Sequence, residues 1–212
     1  MKIKPMLARF QSTIGRTNLI EQMVLVPEPK SKVEKHIESA ESLNFIVGYN
    51  SSCNSHTALD IALCIAHQTR LATKMEVTVQ VVFVVENNHK NYYPDTYSAE
   101  MHNFSEEYIF SDSSNSFAPV LTKEKSEIKS QVILEKADLI LWQARSLALE
   151  WQGNFKAHLR FGCVADELNK VVTSEAADVL FLGCKSALHP IITSLGSNFN
   201  SAVVGIPHCV DE

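Results

Sequence analysis

The chain has no run of about 18 apolar residues of the kind that crosses a bilayer; its most apolar stretch, Val79 to Val85, already contains Gln80. No membrane span is therefore expected. It also lacks a basic excess: 19 Lys+Arg stand against 24 Asp+Glu, a net charge of −5, so no global positive field points to nucleic acid. No C-x-x-C pair is present. The five cysteines (Cys53, Cys64, Cys163, Cys184 and Cys209) are scattered and odd in number, which fits single reduced thiols in a cytoplasmic setting. No two of the eight histidines stand four apart, so a metal site is not expected. Phosphate-binding G-x-x-x-x-G-K-[ST], dinucleotide G-x-G-x-x-G after the first strand and the G-x-S-x-G elbow are all missing, and nothing positions a nucleophile with a base. A turnover enzyme is not indicated.

What is present is an ordinary globular composition, 212 residues with 45% hydrophobic and 20% charged. That suits one generous α/β domain with tails. Residues 1–42 read as an N-terminal extension. Lys2, Lys4, Arg9 and Arg16 precede the first acid, Glu21, and Pro27 and Pro29 make a helix through them unfavourable. From Leu43 to Tyr49 a short apolar run reads as a buried strand, ended by the polar cluster Asn50–Ser55. Ala58, Leu59, Ala62, Ile65 and Ala66 then repeat at helical spacing, with Ser55 where an N-cap belongs.

Val77–Val85 is almost continuous valine, as expected for a strand covered on both faces of a parallel sheet. Residues 87–122 carry eleven Ser and Asn and seven aromatics, without periodicity. A loop of that length reads as an insertion, whose aromatics such as Tyr92 and Phe110 either anchor a lid or a protein partner or fold back on their own domain. A long helix follows over 123–151. Trp151 continues its apolar stripe, whereas Trp142 points elsewhere, toward the insertion or a partner. Alternation over Phe155–Phe161, helical spacing over Val164–Ala176, a buried strand at Asp178–Leu182 and a last strand at Ala202–Ile206 complete the pattern. The expected fold is a five-stranded, mainly parallel sheet with helices on both faces, spanning 43–207, with a tail at 208–212.

Ligands of such sheets sit beyond the carboxyl ends of the strands. The segments falling there are Asn50-Ser51-Ser52, Val84-Val85-Glu86 and Gly183-Cys184-Lys185-Ser186, the last running on to Gly196-Ser197-Asn198. Small residues near a helix start expose amides that can hold phosphate oxygens, though a plain turn uses the same residues. Lys185 could pair with a phosphate or be solvated. Cys184 could be a redox-sensitive or a buried inert thiol. His189, inside this loop, reads as a capping or surface imidazole beside Pro190.

Phe45-Ile-Val-Gly-Tyr-Asn-Ser-Ser-Cys-Asn-Ser55, Gly162-Cys-Val-Ala-Asp-Glu-Leu168 and Ala177-Asp-Val-Leu-Phe-Leu-Gly183 together resemble the universal stress protein family. Its ATP-binding members carry Gly, two residues, Gly, nine residues, then Gly with Ser or Thr. Here Gly183 is followed by Ser186 in place of the second glycine, and then by Gly196-Ser197 at the same spacing. The resemblance covers 44–86 and 123–207. It implies a cytoplasmic, homodimeric stress-response regulator of the adenine-nucleotide alpha-hydrolase-like fold, binding ATP or AMP with or without Mg. Asn50, with Ser51 beside it, matches the aspartate near the nucleoside, and Val84 or Val85 the strand position that reads adenine. Gly183, Ser186, Gly196 and Ser197 match the ribose–phosphate loop, with Lys185 and Asn198 beside them. A homodimer is expected through Ala202–Ile206 as an unpaired edge strand. Two alternatives stand beside the nucleotide-binding regulator: a nucleotide-free dimeric module of the same fold, and slow ATP hydrolysis.

Overall fold

The computed structural model describes residues 3–15, 19–27, 42–86, 120–184, 186–196 and 199–206. The chain divides into two compact units, Met1–Asn87 with Leu139–Glu212, and Asn88–Asp138. In the second, the described part is helix, with Gln131 Nε2 donating to Glu135 Oε1 at 3.2 Å. The insertion read at 87–122 lies outside the described residues except for its last three, which already belong to the helix that begins at Val120. The tail at 208–212 lies outside them as well.

In chain order the elements are α1 (Ile3–Ile14), α2 (Leu19–Met23), β1 (Val24–Val26), β2 (Ser42–Gly48), α3 (Cys53–Thr73), β3 (Glu76–Val85), α4 (Val120–Glu150), β4 (Asn154–Phe161), α5 (Val164–Ser174), β5 (Val179–Leu182), α6 (Pro190–Leu195) and β6 (Ala202–Gly205). The sheet has six strands in the order β1-β6-β5-β2-β3-β4. All neighbours run parallel except β1 against β6. β2 sits centrally, with Phe45 opposite Val79 on one side and Val179 on the other.

Alternation decides which helix covers which face. Ile46, Val82, Val84, Leu180, Leu182 and Val203 point to the side where Leu168, Val171 and Val172 of α5 and Ile192 of α6 complete a core cluster. The intervening residues meet α3, and there Phe45 and Phe181 form a tilted pair, 5.4 Å between ring centroids. The α3 positions expected inward (Ala58, Leu59, Ala62, Ile65 and Ala66) are all buried. Each fully buried Leu or Phe side chain is worth about 1.5–3 kcal/mol, so these two faces supply most of the driving force for folding.

Four expectations need correction. The sheet has six strands, not five, and residues 1–42 are not wholly an extension ahead of the fold. Ile3, Met6, Leu7 and Phe10 form a buried helical stripe on α1, and Val24–Val26 adds a strand just before Pro27. A strand that short has too few residues for a visible period, and the basic residues obscured the stripe. Consequently β6 is not an open edge. Its outer side is taken by β1, with Val24 opposite Val204, and Leu25 packs where Gly205 leaves room, since an added Cβ there would stand 2.5 Å from the Cys184 carbonyl oxygen and run into Leu25. The basis for a homodimer through Ala202–Ile206 is removed. Third, the cap of α3 is Ser52, whose hydroxyl accepts from the Ser55 amide; Ser55 lies inside the first turn and donates to the Ser52 carbonyl at 2.9 Å. Fourth, the cysteines are not all single thiols. Cys64, Cys163 and Cys184 are free, but Cys53 is disulfide-bonded, a pairing that wide spacing conceals.

Candidate functional site

β2 ends at Gly48, and the chain leaves the sheet through Tyr49, Asn50, Ser51 and Ser52 before α3 begins. Asn50 Oδ1 accepts from the Ser52 amide at 3.2 Å and from the Ser52 hydroxyl at 2.7 Å. This is a side chain closing a turn on its own backbone. Ser51 sits in the left-handed region at φ 64, and its hydroxyl donates to Gln143 Oε1 of α4. The Tyr49 hydroxyl lies 3.0 Å from His56 Nδ1. The loop is thus held from three sides, at the amino end of a 21-residue helix whose dipole is positive there.

The second loop starts at Gly183, directly after β5. An added Cβ at Gly183 would stand 2.6 Å from the Asn54 carbonyl carbon and 2.8 Å from the Ser55 amide nitrogen. Only glycine allows the end of β5 to lie against the first turn of α3. The structure therefore sets Gly183 against the first turn of α3, which follows directly on the Asn50–Ser52 loop. Ser186 is exposed and is not among the described residues with positive φ, so serine in place of the family's glycine carries no backbone strain. Its hydroxyl oxygen accepts from the Leu188 amide at 3.1 Å, which leaves the hydroxyl hydrogen to donate.

His189 caps α6: its Nδ1 accepts from the Ile191 amide at 3.3 Å, and Pro190 follows at the first helical position. α6 closes at Gly196, with φ 74 and ψ 175 and, among the described residues, no atom within 4 Å of where a Cβ would stand. That backbone region is essentially restricted to glycine. Val84 and Val85 end β3; Val84 packs into the core cluster, and the Val85 carbonyl accepts from the Gly162 amide at 3.0 Å. Lys185, Ser197 and Asn198 lie outside the described residues.

Cys184 is buried, and that burial pushes its thiol up to about 11. It is protonated at neutral pH and behaves as the inert thiol rather than the redox-sensitive one. Sequence reasoning missed Ser52 as the joint between Asn50 and α3, although a serine directly before the helical stretch was visible. It also missed Gln143, which no spacing rule could connect to Ser51. Two hollows, of about 560 Å³ beside Phe10, Asp60, Cys64 and Trp151 and about 460 Å³ beside Arg9, Gln68 and Leu71, lie along α1 and α3. Neither is lined by residues of the strand-end loops. Among the described residues, no group of three or more His, Cys, Asp or Glu could hold a metal ion, and no helix is long and apolar enough to cross a membrane.

A mainly parallel sheet flanked by α3 on one face and α5 and α6 on the other, with glycine-bearing loops at the strand ends, defines an α/β protein. No family model matches the chain, and no curated protein matches it either. Among solved structures, hypothetical protein MJ0577 is 11% identical with a TM-score of 0.51, the match covering 78% of this chain and 97% of that one. Universal stress protein UspA from Lactobacillus plantarum is 14% identical with a TM-score of 0.49, over 78% and 97%. A universal stress protein family protein from Arabidopsis thaliana, described with AMP bound, is 13% identical with a TM-score of 0.49, over 80% and 94%. The chain shares the fold of the MJ0577 protein, and its motifs resemble the universal stress protein family.

Proposed function

We propose that this chain is a universal-stress-type regulatory protein that binds an adenine nucleotide, ATP or AMP, across the carboxyl ends of β2, β3 and β5. The observation that carries the reading is the contact between Gly183 and the first turn of α3, which sets the β5 loop against the positive end of a long helix. Phosphate oxygens are stabilised at such a place by main-chain donors and the helix dipole. Gly196, in its glycine-only conformation, and the Ser186 hydroxyl fit the same role. The adenine lies at the end of β3, beside Val84 and Val85. With no nucleophile–base arrangement in its motifs, the chain acts by binding rather than turnover, and nucleotide orders the loops around Gly183 and Gly196 as a population shift.

A second reading, a nucleotide-free interaction module, draws on Asn50. Its Oδ1 is already engaged by Ser52, which leaves its amide as the group able to meet a ribose. The two readings separate in a thermal-shift experiment. Nucleotide binding predicts a larger rise in Tm with ATP or AMP than with GTP, lost in Gly196→Glu; a flat response to all three at millimolar concentration favours the module. Pairing of two copies through β6 forms no part of either reading, because β1 fills that edge.

A further inference from the structure

Cys53 is the first residue of α3; it is exposed, and it is disulfide-bonded. Cys64, Cys163 and Cys184 are free thiols. Of the five cysteines in the chain, that leaves Cys209 to pair with it. Cys209 lies outside the described residues, but the described ones bring the chain to the right place. The end of β6 lies beside the end of β5, with Gly205 opposite Leu182 and the Ile206 amide donating to the Leu182 carbonyl at 2.9 Å. Gly183 follows and stands against Asn54, the residue after Cys53. Ile206 is therefore separated from Cys53 by one strand spacing of about 4.8 Å and the close contact at Gly183. Three more residues reach roughly 10 Å, and a disulfide spans about 5.5–6 Å further between Cα atoms. Cys209 is within range.

We infer that Cys53 and Cys209 form a reversible thiol–disulfide couple, a redox site at the amino end of α3 whose reactant is a small dithiol. Three features set it apart from a fixed crosslink. A chain that keeps its three other cysteines free is not built as a disulfide scaffold. Cys53 is exposed, so a small thiol reaches the bond without opening the core. The amino end of a 21-residue helix stabilises negative charge on the Cys53 sulfur, which makes that sulfur the better leaving group. Reduction runs in two exchanges. One thiolate of the dithiol attacks the Cys209 sulfur, the S–S electron pair passes to Cys53, and a mixed disulfide forms at Cys209. The second thiolate of the reagent then attacks its own sulfur in that mixed disulfide. Cys209 leaves with the electron pair, and the reagent departs as a cyclic disulfide. Two electrons and two protons pass from the reagent to the chain. The inference is independent of whether nucleotide binds.

Non-reducing peptide mapping of the full chain by mass spectrometry, with free thiols blocked by N-ethylmaleimide in denaturant, tests the pairing. The expected result for air-oxidised protein is one linked peptide pair, Cys53 with Cys209, and blocked thiols at the other three positions. Dithiothreitol without denaturant then converts the pair into two thiols and lowers Tm by roughly 5–15 °C, because the bond closes a loop of about 150 residues. Oxidised dithiothreitol restores both. Cys53→Ser and Cys209→Ser each show the lowered Tm and no further response to reductant. A link to any other cysteine, a link between two chains, or free thiols at both positions in the oxidised protein overturns the inference. So does a bond that dithiothreitol opens only after the chain is unfolded, because the crosslink is then structural.

Discussion

Replacing Gly183 by alanine puts the tightest contact of the candidate site under test. The new Cβ would meet three main-chain atoms at 2.6–2.8 Å (Asn54 C and O, and Ser55 N), whereas carbon atoms rest at about 3.5–4.0 Å. Relief requires β5 or the start of α3 to move by nearly an ångström. α3 cannot follow easily, because Ala58, Leu59 and Ala62 are fully buried against the sheet. Overpacking costs about 1–3 kcal/mol, and backbone on the far side places this case near the top. Alanine also narrows the unfolded chain, worth about 0.4–1 kcal/mol in the opposite direction. The net loss is about 2 kcal/mol, or about 4–8 °C in Tm for a chain of this size. Circular dichroism melting measures it, and titration with ATP should weaken in parallel because the two loops are pushed apart. A Tm within 1 °C of the parent would refute the claimed close approach.

Other outcomes follow from single residues. Gly196→Ala meets no atom of a described residue within 4 Å, so its cost is torsional, about 1–3 kcal/mol; calorimetry should find the loss undiminished when serine replaces alanine. His158, whose Nε2 lies 2.8 Å from Oε1 of the fully buried Gln80, is held by burial below its ordinary value of 6.5, against the opposing pull of Glu175. The folded chain then binds fewer protons than the unfolded one as pH falls through 6.5, so stability declines with acid below that point; His158→Gln should flatten this part of the denaturant-midpoint profile. Native alkylation at pH 8 should modify the exposed Cys163 well before Cys184, whose thiol needs a pH near 11 to ionise; equal rates would show that the thiol is not sealed.

Legibility in the sequence followed burial. The strands read at 43–49, 77–85, 155–161, 178–182 and 202–206 all exist, within a residue or two. Strands covered on both faces have to be written in valine, leucine and isoleucine, and β4 shows its exposure by alternating. The parts that escaped are held by contacts distant in sequence. β1 is three residues long and becomes a strand only because β6 lies beside it. α6 has six residues, too few for a periodic stripe, and is set by its histidine cap and Pro190. In the candidate site, glycine spacing singled out Gly183 and Gly196, two positions where the backbone requires glycine. The use of Asn50 by Ser52 and the bond from Ser51 to Gln143 depend on rotamers and on where α4 lies, which no pattern along the chain encodes.

The central claim is that the loops at the ends of β2 and β5 form one anion-holding crevice for an adenine nucleotide. Amide chemical-shift mapping of the labelled protein with AMP tests it most directly. The account predicts saturable shifts grouped at Asn50–Ser55, Gly183, Ser186 and Gly196, with the amides of α1 unmoved. Shifts clustered instead along α1 and the facing side of α3, or none at millimolar AMP, would contradict it.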